Sequence, residues 1–292
     1  MSDPATRATI CLEEAPVISQ RSYPGDQHIL RVHAPRCAAR TEPGSFAHLT
    51  CDPTIPMRRP LSIMRAHREE GWLEFLYKPV GAGLAHLAKR TPGDAVSVLG
   101  PIGNGFTPDT HRASILAIGG GVGIPPMVLL ADRLRNDERF NLLVMMGSEV
   151  PFPFELNKAE LPVVGIPATA SHSVDLLEGW GVPSRIASNA GYVGCFKGFV
   201  TELARSWLST LSDEALQNVQ VLGCGPTGML EAVAKLARDF QLPCQLALEE
   251  YMACGVGGCA GCTVLLHTPD GPAMKRVCVD GPVFDASQVY PA

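Results

Sequence analysis

The chain has 292 residues, enough for about two domains at the usual ~100–200 residues each. Apolar residues make up 46% and charged residues 18%, which excludes extended disorder. With 24 Lys and Arg against 29 Asp and Glu the net charge is −5, the wrong sign for a general nucleic-acid binder.

The start, Met1-Ser-Asp-Pro-Ala-Thr-Arg7, carries an acid and no apolar stretch, which argues against a secretory signal and for a cytoplasmic protein. Six short runs follow, at 8–18, 28–33, 46–51, 61–66, 72–79 and 95–99. Turns such as Tyr23-Pro-Gly25, Glu42-Pro-Gly44 and Thr91-Pro-Gly93 separate them, a spacing that predicts a small all-β barrel or sandwich.

The uncharged run 113–131 has nearly the length of a membrane span. Gly119, Gly120, Gly121 and Gly123, then Pro125 and Pro126, interrupt it, which argues against a spanning helix. The same residues suit a phosphate cradle: an apolar strand ending in Ile118, a glycine turn, then a helix over 125–135 with proline in its first turn. Bare N–H groups and the positive end of the helix dipole would face an anion there. The turn departs from G-x-G-x-x-G because Pro126 takes the last position, so an ordinary strand-to-helix connection is the competing reading.

A second apolar run, 140–146, ends at Gly147-Ser-Glu149. A third, 219–222, leads into Gly223-Cys224-Gly225-Pro226 and a helical stretch over 229–240. Strands alternating with helices predict a parallel sheet that binds its ligand at the strands' carboxyl ends. The two glycine turns would flank one dinucleotide, with Gly119, Gly120, Gly121, Gly123, Gly223, Cys224, Gly225 and Pro226 as candidate contacts. Glu149 is placed to accept from a ribose 2′-OH or is simply solvated. No Lys or Arg falls between Glu149 and Lys158 to meet a 2′-phosphate, so NAD is preferred over NADP.

Ten cysteines are unevenly spread. Cys11, Cys37, Cys51, Cys195, Cys224 and Cys244 are scattered and read as small packing residues. Cys254, Cys259, Cys262 and Cys278 form C-x4-C-x2-C…C, the spacing of plant-type [2Fe–2S] ligands. Gly255, Gly257, Gly258 and Gly261 would let the loop turn its N–H groups toward four anionic sulfurs, since glycine adopts positive φ freely. A structural zinc site is the alternative, but zinc ribbons present two C-x2–4-C knuckles rather than one long glycine-rich loop. The eight histidines show no ligand spacing, and none is given a role.

Arg59-Pro60-Leu61-Ser62 is similar to the R-x-x-S/T signature of the ferredoxin reductase-like flavoproteins, and both glycine turns resemble that family's pyridine-nucleotide motifs. Within it, the chain resembles the electron-transfer subunits of class 1B dihydroorotate dehydrogenases. The resemblance is carried by Leu99-Gly-Pro-Ile-Gly-Asn-Gly-Phe106, Lys197-Gly-Phe-Val-Thr201, Glu250-Tyr-Met-Ala-Cys254 and Arg276-Val-Cys-Val-Asp-Gly-Pro-Val-Phe284. It implies FAD contacts at Arg59, Pro60, Leu61, Ser62, Leu76, Tyr77, Lys78, Gly83 and Leu84, with cluster ligation by Cys254, Cys259, Cys262 and Cys278. For Tyr77, packing is the competing reading to stacking. Leu84 stands where the family has Thr, and the stretch 160–186 is longer than the family's equivalent.

These readings give a multidomain α+β chain: a small antiparallel FAD-binding β-barrel at 1–108, an α/β parallel-sheet NAD-binding domain at 109–242, and a small C-terminal [2Fe–2S] domain at 243–292. The implied function passes electrons between NAD(H), FAD and the cluster to or from a catalytic flavoprotein subunit of dihydroorotate dehydrogenase type, two of each chain forming a heterotetramer, with no nucleic acid and no membrane. Alternatives are a flavin and iron–sulfur subunit of a sulfite reductase, hydrogenase or transhydrogenase-type complex, and a non-catalytic zinc- and nucleotide-binding module.

Overall fold

Alternating apolar and polar residues make the first third a set of strands that need a common interior. A computed structural model describes residues 9–291, so the chain's start and Ala8, the first residue expected in the opening strand, lie outside the described residues. The strands are β1 (Cys11–Tyr23) and β2 (Gln27–His33), then, after a short helix α1 (Pro35–Arg40), β3 (Phe46–Thr50), β4 (Arg59–His67) and β5 (Trp72–Tyr77). A second short helix, α2 (Gly81–Leu87), precedes β6 (Ala95–Ile102). They close in the order β1-β2-β5-β4-β3-β6, every neighbour antiparallel. Closure removes exposed strand edges and leaves Leu30, Val32, Leu49, Ile63, Leu73, Phe75 and Val98 without accessible surface. Each such side chain contributes roughly 1.5–3 kcal/mol through burial.

All six expected strands are present and form a barrel rather than an open sandwich. The first runs further than expected, to Tyr23, because the polar stretch Ser19–Ser22 pairs with β2 beyond an irregularity near Val17. Neither short helix was expected. The Glu13 carboxylate caps α1 by accepting the N–H groups of Arg36 (3.0 Å) and Cys37 (2.7 Å).

The next region alternates strand and helix. β7 (Ser114–Gly120) passes through a single 3-10 turn, Gly121–Gly123, into α3 (Ile124–Leu134) and then β8 (Asn141–Gly147). A two-stranded pair, β9 (Leu156–Lys158) and β10 (His172–Val174), is followed by α4 (Asp175–Glu178) and β11 (Ser184–Ala187). Then come α5 (Val200–Leu208), α6 (Asp213–Gln217), β12 (Val219–Cys224), α7 (Thr227–Asp239) and β13 (Cys244–Ala247). The tail adds the hairpin β14 (Thr263–Thr268) and β15 (Gly271–Arg276), then β16 (Val283–Asp285) and α8 (Ala286–Val289).

The large sheet runs β11-β8-β7-β12-β13-β16, with β11, β8, β7 and β12 mutually parallel. Strand order reverses direction beside β7, so the ends of β7 and β12 form the topological switch point where such sheets bind ligands. The uncharged run 113–131 is accounted for by β7, its turn and the buried first two turns of α3. Among the described residues no helix is long and apolar enough to cross a membrane.

The stretch 160–186 supplies the edge strand β11 and the segment that holds it. Buried Arg185 donates to the carbonyls of Ser184 (2.7 Å) and Leu161 (2.8 Å), and the Glu178 carboxylate accepts from the N–H groups of Glu160 and Leu161. By contacts the described residues divide into two units: those up to Phe106 with Ala247–Val283, and Thr107–Leu246 with those from Phe284 onward.

Candidate cofactor sites

The residues expected to hold FAD converge where the barrel comes apart. Arg59, Pro60, Leu61 and Ser62 pair with Leu49, His48, Ala47 and Phe46 of β3. On their other side, the β4–β5 ladder starts only at Ile63↔Phe75, and its register shifts between that pair and Arg65↔Glu74. Leu76 and Tyr77 therefore pair with β2 alone. Two main-chain segments, 59–62 and 76–78, thus border one opening of the seam with hydrogen-bonding groups that the ladder does not use.

Gly83, in the first turn of α2, closes the same opening. A Cβ there would lie 3.0 Å from Arg59 Nε and 3.1 Å from Cζ, so the bare glycine lets the guanidinium lie against the helix. Arg59 Nη1 donates to the carbonyls of Met57 (2.8 Å) and Arg58 (3.1 Å), leaving other N–H groups of the fork available to an anion. No side chain caps α2, so the absence of a hydroxyl at Leu84 leaves main-chain N–H groups as its donors.

The side chains of Leu76 and Tyr77 are in the core, exposed by 2% and 1%. The Tyr77 hydroxyl accepts from Gln20 Nε2 at 2.6 Å and its ring stacks on His28 at 5.5 Å, so its side chain is packed into the barrel. Burial pushes the Tyr77 hydroxyl above its ordinary range.

The two glycine turns meet at the switch point. β7 and β12 run in register to Gly119↔Cys224. A Cβ on Gly123 would lie 2.5 Å from both Cα and N of Gly225, and one on Gly120 or Gly225 would strike Met229. Gly123 is required because main chain packs on main chain there, whereas Gly120 and Gly225 make room for the Met229 side chain. Pro125 and Pro126 fill the first turn of α3, where a missing N–H costs nothing. Exposed Glu149 lies two residues beyond Gly147, which is level with Gly120 on the next strand.

In the cysteine loop, Cys262 and Cys278 are buried, their sulfurs 3.3 Å apart, while Cys254 is half-buried and Cys259 exposed. Val256 N–H points at Cys254 Sγ (3.5 Å) and Gly261 N–H at Cys259 Sγ (3.4 Å). Burial alone would raise the Cys254 thiol, but N–H donors from Val256, Cys259 and Gly258 and the Cys259 side chain outweigh it and bring it down to about 7. Cys278 is pushed up to about 12, first by burial and then by the neighbouring Cys262 thiol. Donors aimed at sulfur favour thiolate, the form that binds metal.

The sulfurs associate as two pairs, Cys254 with Cys259 and Cys262 with Cys278. Among the described residues no three His, Cys, Asp or Glu side chains converge on a single-ion position. Paired thiols in a shell of N–H donors fit a two-iron cluster, with two ligands for each metal, better than one tetrahedral ion. Of the loop glycines, Gly255 (φ +67°) and Gly257 (φ +81°) use positive φ; Gly258 and Gly261 do not, and Ala260 (φ +54°) does so instead.

Three anchors of this loop were missed from sequence. Arg276 Nη1 donates to the Gly257 carbonyl (3.1 Å), while its Nε meets Asp280 at 3.3 Å. Asn104 Nδ2 donates to the carbonyls of Val279 (3.1 Å) and Asp280 (3.2 Å). His48 packs beneath Gly255. The first two lie in segments whose resemblance was noted without a role. His48 carried no local signal. All six scattered cysteines are buried, as expected.

Residues 249–290 match the family model described as the iron-sulfur cluster binding domain of dihydroorotate dehydrogenase B, in agreement with iron over zinc. Over 284 residues the chain is 33% identical to the dihydroorotate dehydrogenase B (NAD(+)) electron transfer subunit of Geobacillus thermodenitrificans, covering 95% of this chain and 98% of that one. The subunit of the same name from Desulforamulus reducens is 30% identical over 285 residues, covering 94% and 97%. Among solved structures, an NADH-dependent reduced ferredoxin-NADP oxidoreductase shares the fold with a TM-score of 0.75 at 24% identity, covering 95% of this chain and 90% of that one. Phthalate dioxygenase reductase shares it at 0.56 and 16% identity, covering 91% and 76%.

Proposed function

The chain belongs to the family of dihydroorotate dehydrogenase B electron transfer subunits, and from that premise we propose how its parts divide the work. It passes electrons between NAD(H), FAD and a [2Fe–2S] cluster, and a catalytic subunit is its counterpart. Nicotinamide exchanges hydride, an iron–sulfur cluster exchanges single electrons, and a flavin can do either.

The residues supply positioning. Arg59 pairs its guanidinium with the flavin pyrophosphate, helped by main-chain N–H groups at Gly83 and Leu84. Pro60, Leu61, Ser62, Leu76, Tyr77 and Lys78 border the rest of the FAD site, mostly through main chain. Gly119, Gly120, Gly121, Gly123, Gly223, Cys224, Gly225 and Pro226 cradle the NAD phosphates, and Glu149 accepts from its ribose. Cys254, Cys259, Cys262 and Cys278 would hold the cluster, which would exchange single electrons with the flavin. By task, 1–108 serves FAD, 109–242 serves NAD and 243–292 serves the cluster.

The partner is the dihydroorotate-oxidising chain with its own flavin, two copies of each forming the assembly, in the cytoplasm, where ten cysteines without a disulfide stay reduced. The observation that carries the reading is the paired-thiol loop, rich in N–H donors, in a chain one-third identical to the named subunits along nearly its whole length.

Anaerobic titration with NADH tests it. The purified protein is expected to be brown and to bleach in separate flavin and cluster phases, with NADPH far less effective. Co-expression with a dihydroorotate dehydrogenase catalytic chain is expected to give a stable complex that reduces NAD+ with dihydroorotate. A colourless protein, or one holding zinc without acid-labile sulfide, would overturn the reading.

A further inference from the structure

His48 has no use in the reading above, yet it is fully buried on β3, opposite Pro60 of β4 and Leu99 of β6. Pro60 belongs to the strand segment assigned to FAD. The ring also meets the cysteine loop: a Cβ on Gly255 would lie 2.7 Å from His48 Nδ1 and 3.4 Å from Cγ. The Cys254–Gly255 main chain therefore lies directly on the imidazole, and only glycine fits at 255, where φ is also +67°.

Among the described residues neither ring nitrogen completes a hydrogen bond of ordinary geometry, although the main chain of Cys254 and of Arg58 faces the ring. A buried polar ring so placed costs stability that an apolar side chain of the same shape would not. Burial, and then the charge of Arg58, hold the imidazole neutral by lowering it to about 4. The surroundings are unequal in stiffness. On one side is a strand hydrogen-bonded on both edges of a closed barrel; on the other is an irregular loop pinned otherwise by Arg276 and Asn104.

We infer that His48 is a positioning residue for electron transfer. Its ring seats the Cys254–Gly255 turn on the strand pair that carries the flavin motif, fixing the first cluster cysteine relative to Arg59–Ser62. The inference rests on the assignment of FAD to that motif and of the cluster to the cysteines. A site supported by a rigid strand keeps a separation that a free loop would not hold.

The test uses the full chain with its cofactors. His48→Ala removes the ring on which the turn sits, whereas His48→Leu keeps its volume. Flavin content is expected to match the parent in both, reporting a folded barrel. His48→Ala is expected to alter the electron paramagnetic resonance line shape of the reduced cluster, shift its midpoint potential and slow flavin-to-cluster transfer about tenfold. His48→Leu is expected to stay nearer the parent in all three. Gly255→Ala is expected to release iron to a chelator faster, and adding His48→Ala to restore part of the retention by removing the ring that the new methyl strikes, the strain of alanine at φ +67° remaining.

Parent-like line shape, potential and transfer in His48→Ala would overturn the inference, as would indifference of Gly255→Ala to His48→Ala. A parent protein lacking flavin or iron would overturn the cofactor assignment instead.

Discussion

The glycines of the two cofactor loops serve different physical ends. In the α/β unit, Gly123 is bare because two turns at the ends of neighbouring parallel strands press its main chain against that of Gly225. In the cysteine loop, Gly255 and Gly257 take positive φ so that N–H groups turn toward sulfur, and Gly258 has open space where a Cβ would be. Regular elements on both sides fix the first site. An irregular loop held by three distant side chains forms the second. Damage to the first should therefore act through packing, and damage to the second through ligands and anchors.

The sharpest way to break that contrast is at a ligand. Cys259→Ser is expected to abolish the cluster, read as loss of iron and acid-labile sulfide, while leaving thermal stability and NADH-driven flavin reduction near the parent. A collapse of the whole protein would show that the loop is structural and that the contrast is false.

Thiol chemistry sharpens it next. In metal-free protein near pH 7.5, Cys254, held at about 7, is largely thiolate. Burial raises Cys51 and Cys195 to about 11, so their thiolate fraction is smaller by on the order of 10³. Iodoacetamide labelling followed by mass spectrometry is expected to find Cys254 modified well before either of these buried thiols. For Cys254 the sign is that of a depressed thiol: labelling rises with pH through about 7 and then levels off. Equal rates for the three would remove the N–H donors from the account.

The third expected effect belongs to the α/β unit. Gly123→Ala sets a methyl against the main chain of Gly225, and neither turn can yield without displacing its strand. A loss of ~1–3 kcal/mol from overpacking follows, with weakened NADH binding. The visible spectrum of the cluster is expected to persist. Scanning calorimetry and NADH titration together separate the two outcomes.

How much of this was legible in the sequence follows the same division. Alternating strands separated by Pro-Gly turns revealed the barrel, and strand–glycine–helix units revealed the sheet, because both signals are local. The cysteine spacing gave the ligands for the same reason. His48, Asn104 and Arg276 were not legible as anchors, since each acts on residues far along the chain: Asn104 on Val279, His48 on Gly255, and Arg276 through a single main-chain carbonyl. The polar half of β1 and the helix α1 were missed for a related reason. Ser19–Ser22 is held by β2, and α1 takes its cap from Glu13, more than twenty positions earlier.

Tyr77 gives the smallest expected effect. The family resemblance puts it at the flavin, yet its ring is 1% exposed and stacked on His28. Its hydroxyl accepts from Gln20, whose amide also donates to the Leu87 carbonyl at 3.0 Å. Tyr77→Phe keeps the ring and deletes only that acceptor, and Gln20 retains its second bond. The cost should be about 1 kcal/mol, the ordinary net value of one buried hydrogen bond. Flavin content, visible spectrum and midpoint potential should not move, because the opening between β4 and β5 presents the main chain of residue 77 rather than its phenol. A changed flavin spectrum at unchanged stability would reverse this, placing the phenol against the cofactor and making the site one of side chains. Tyr77→Phe thus separates a barrel that offers its unpaired main chain from one that offers an aromatic platform.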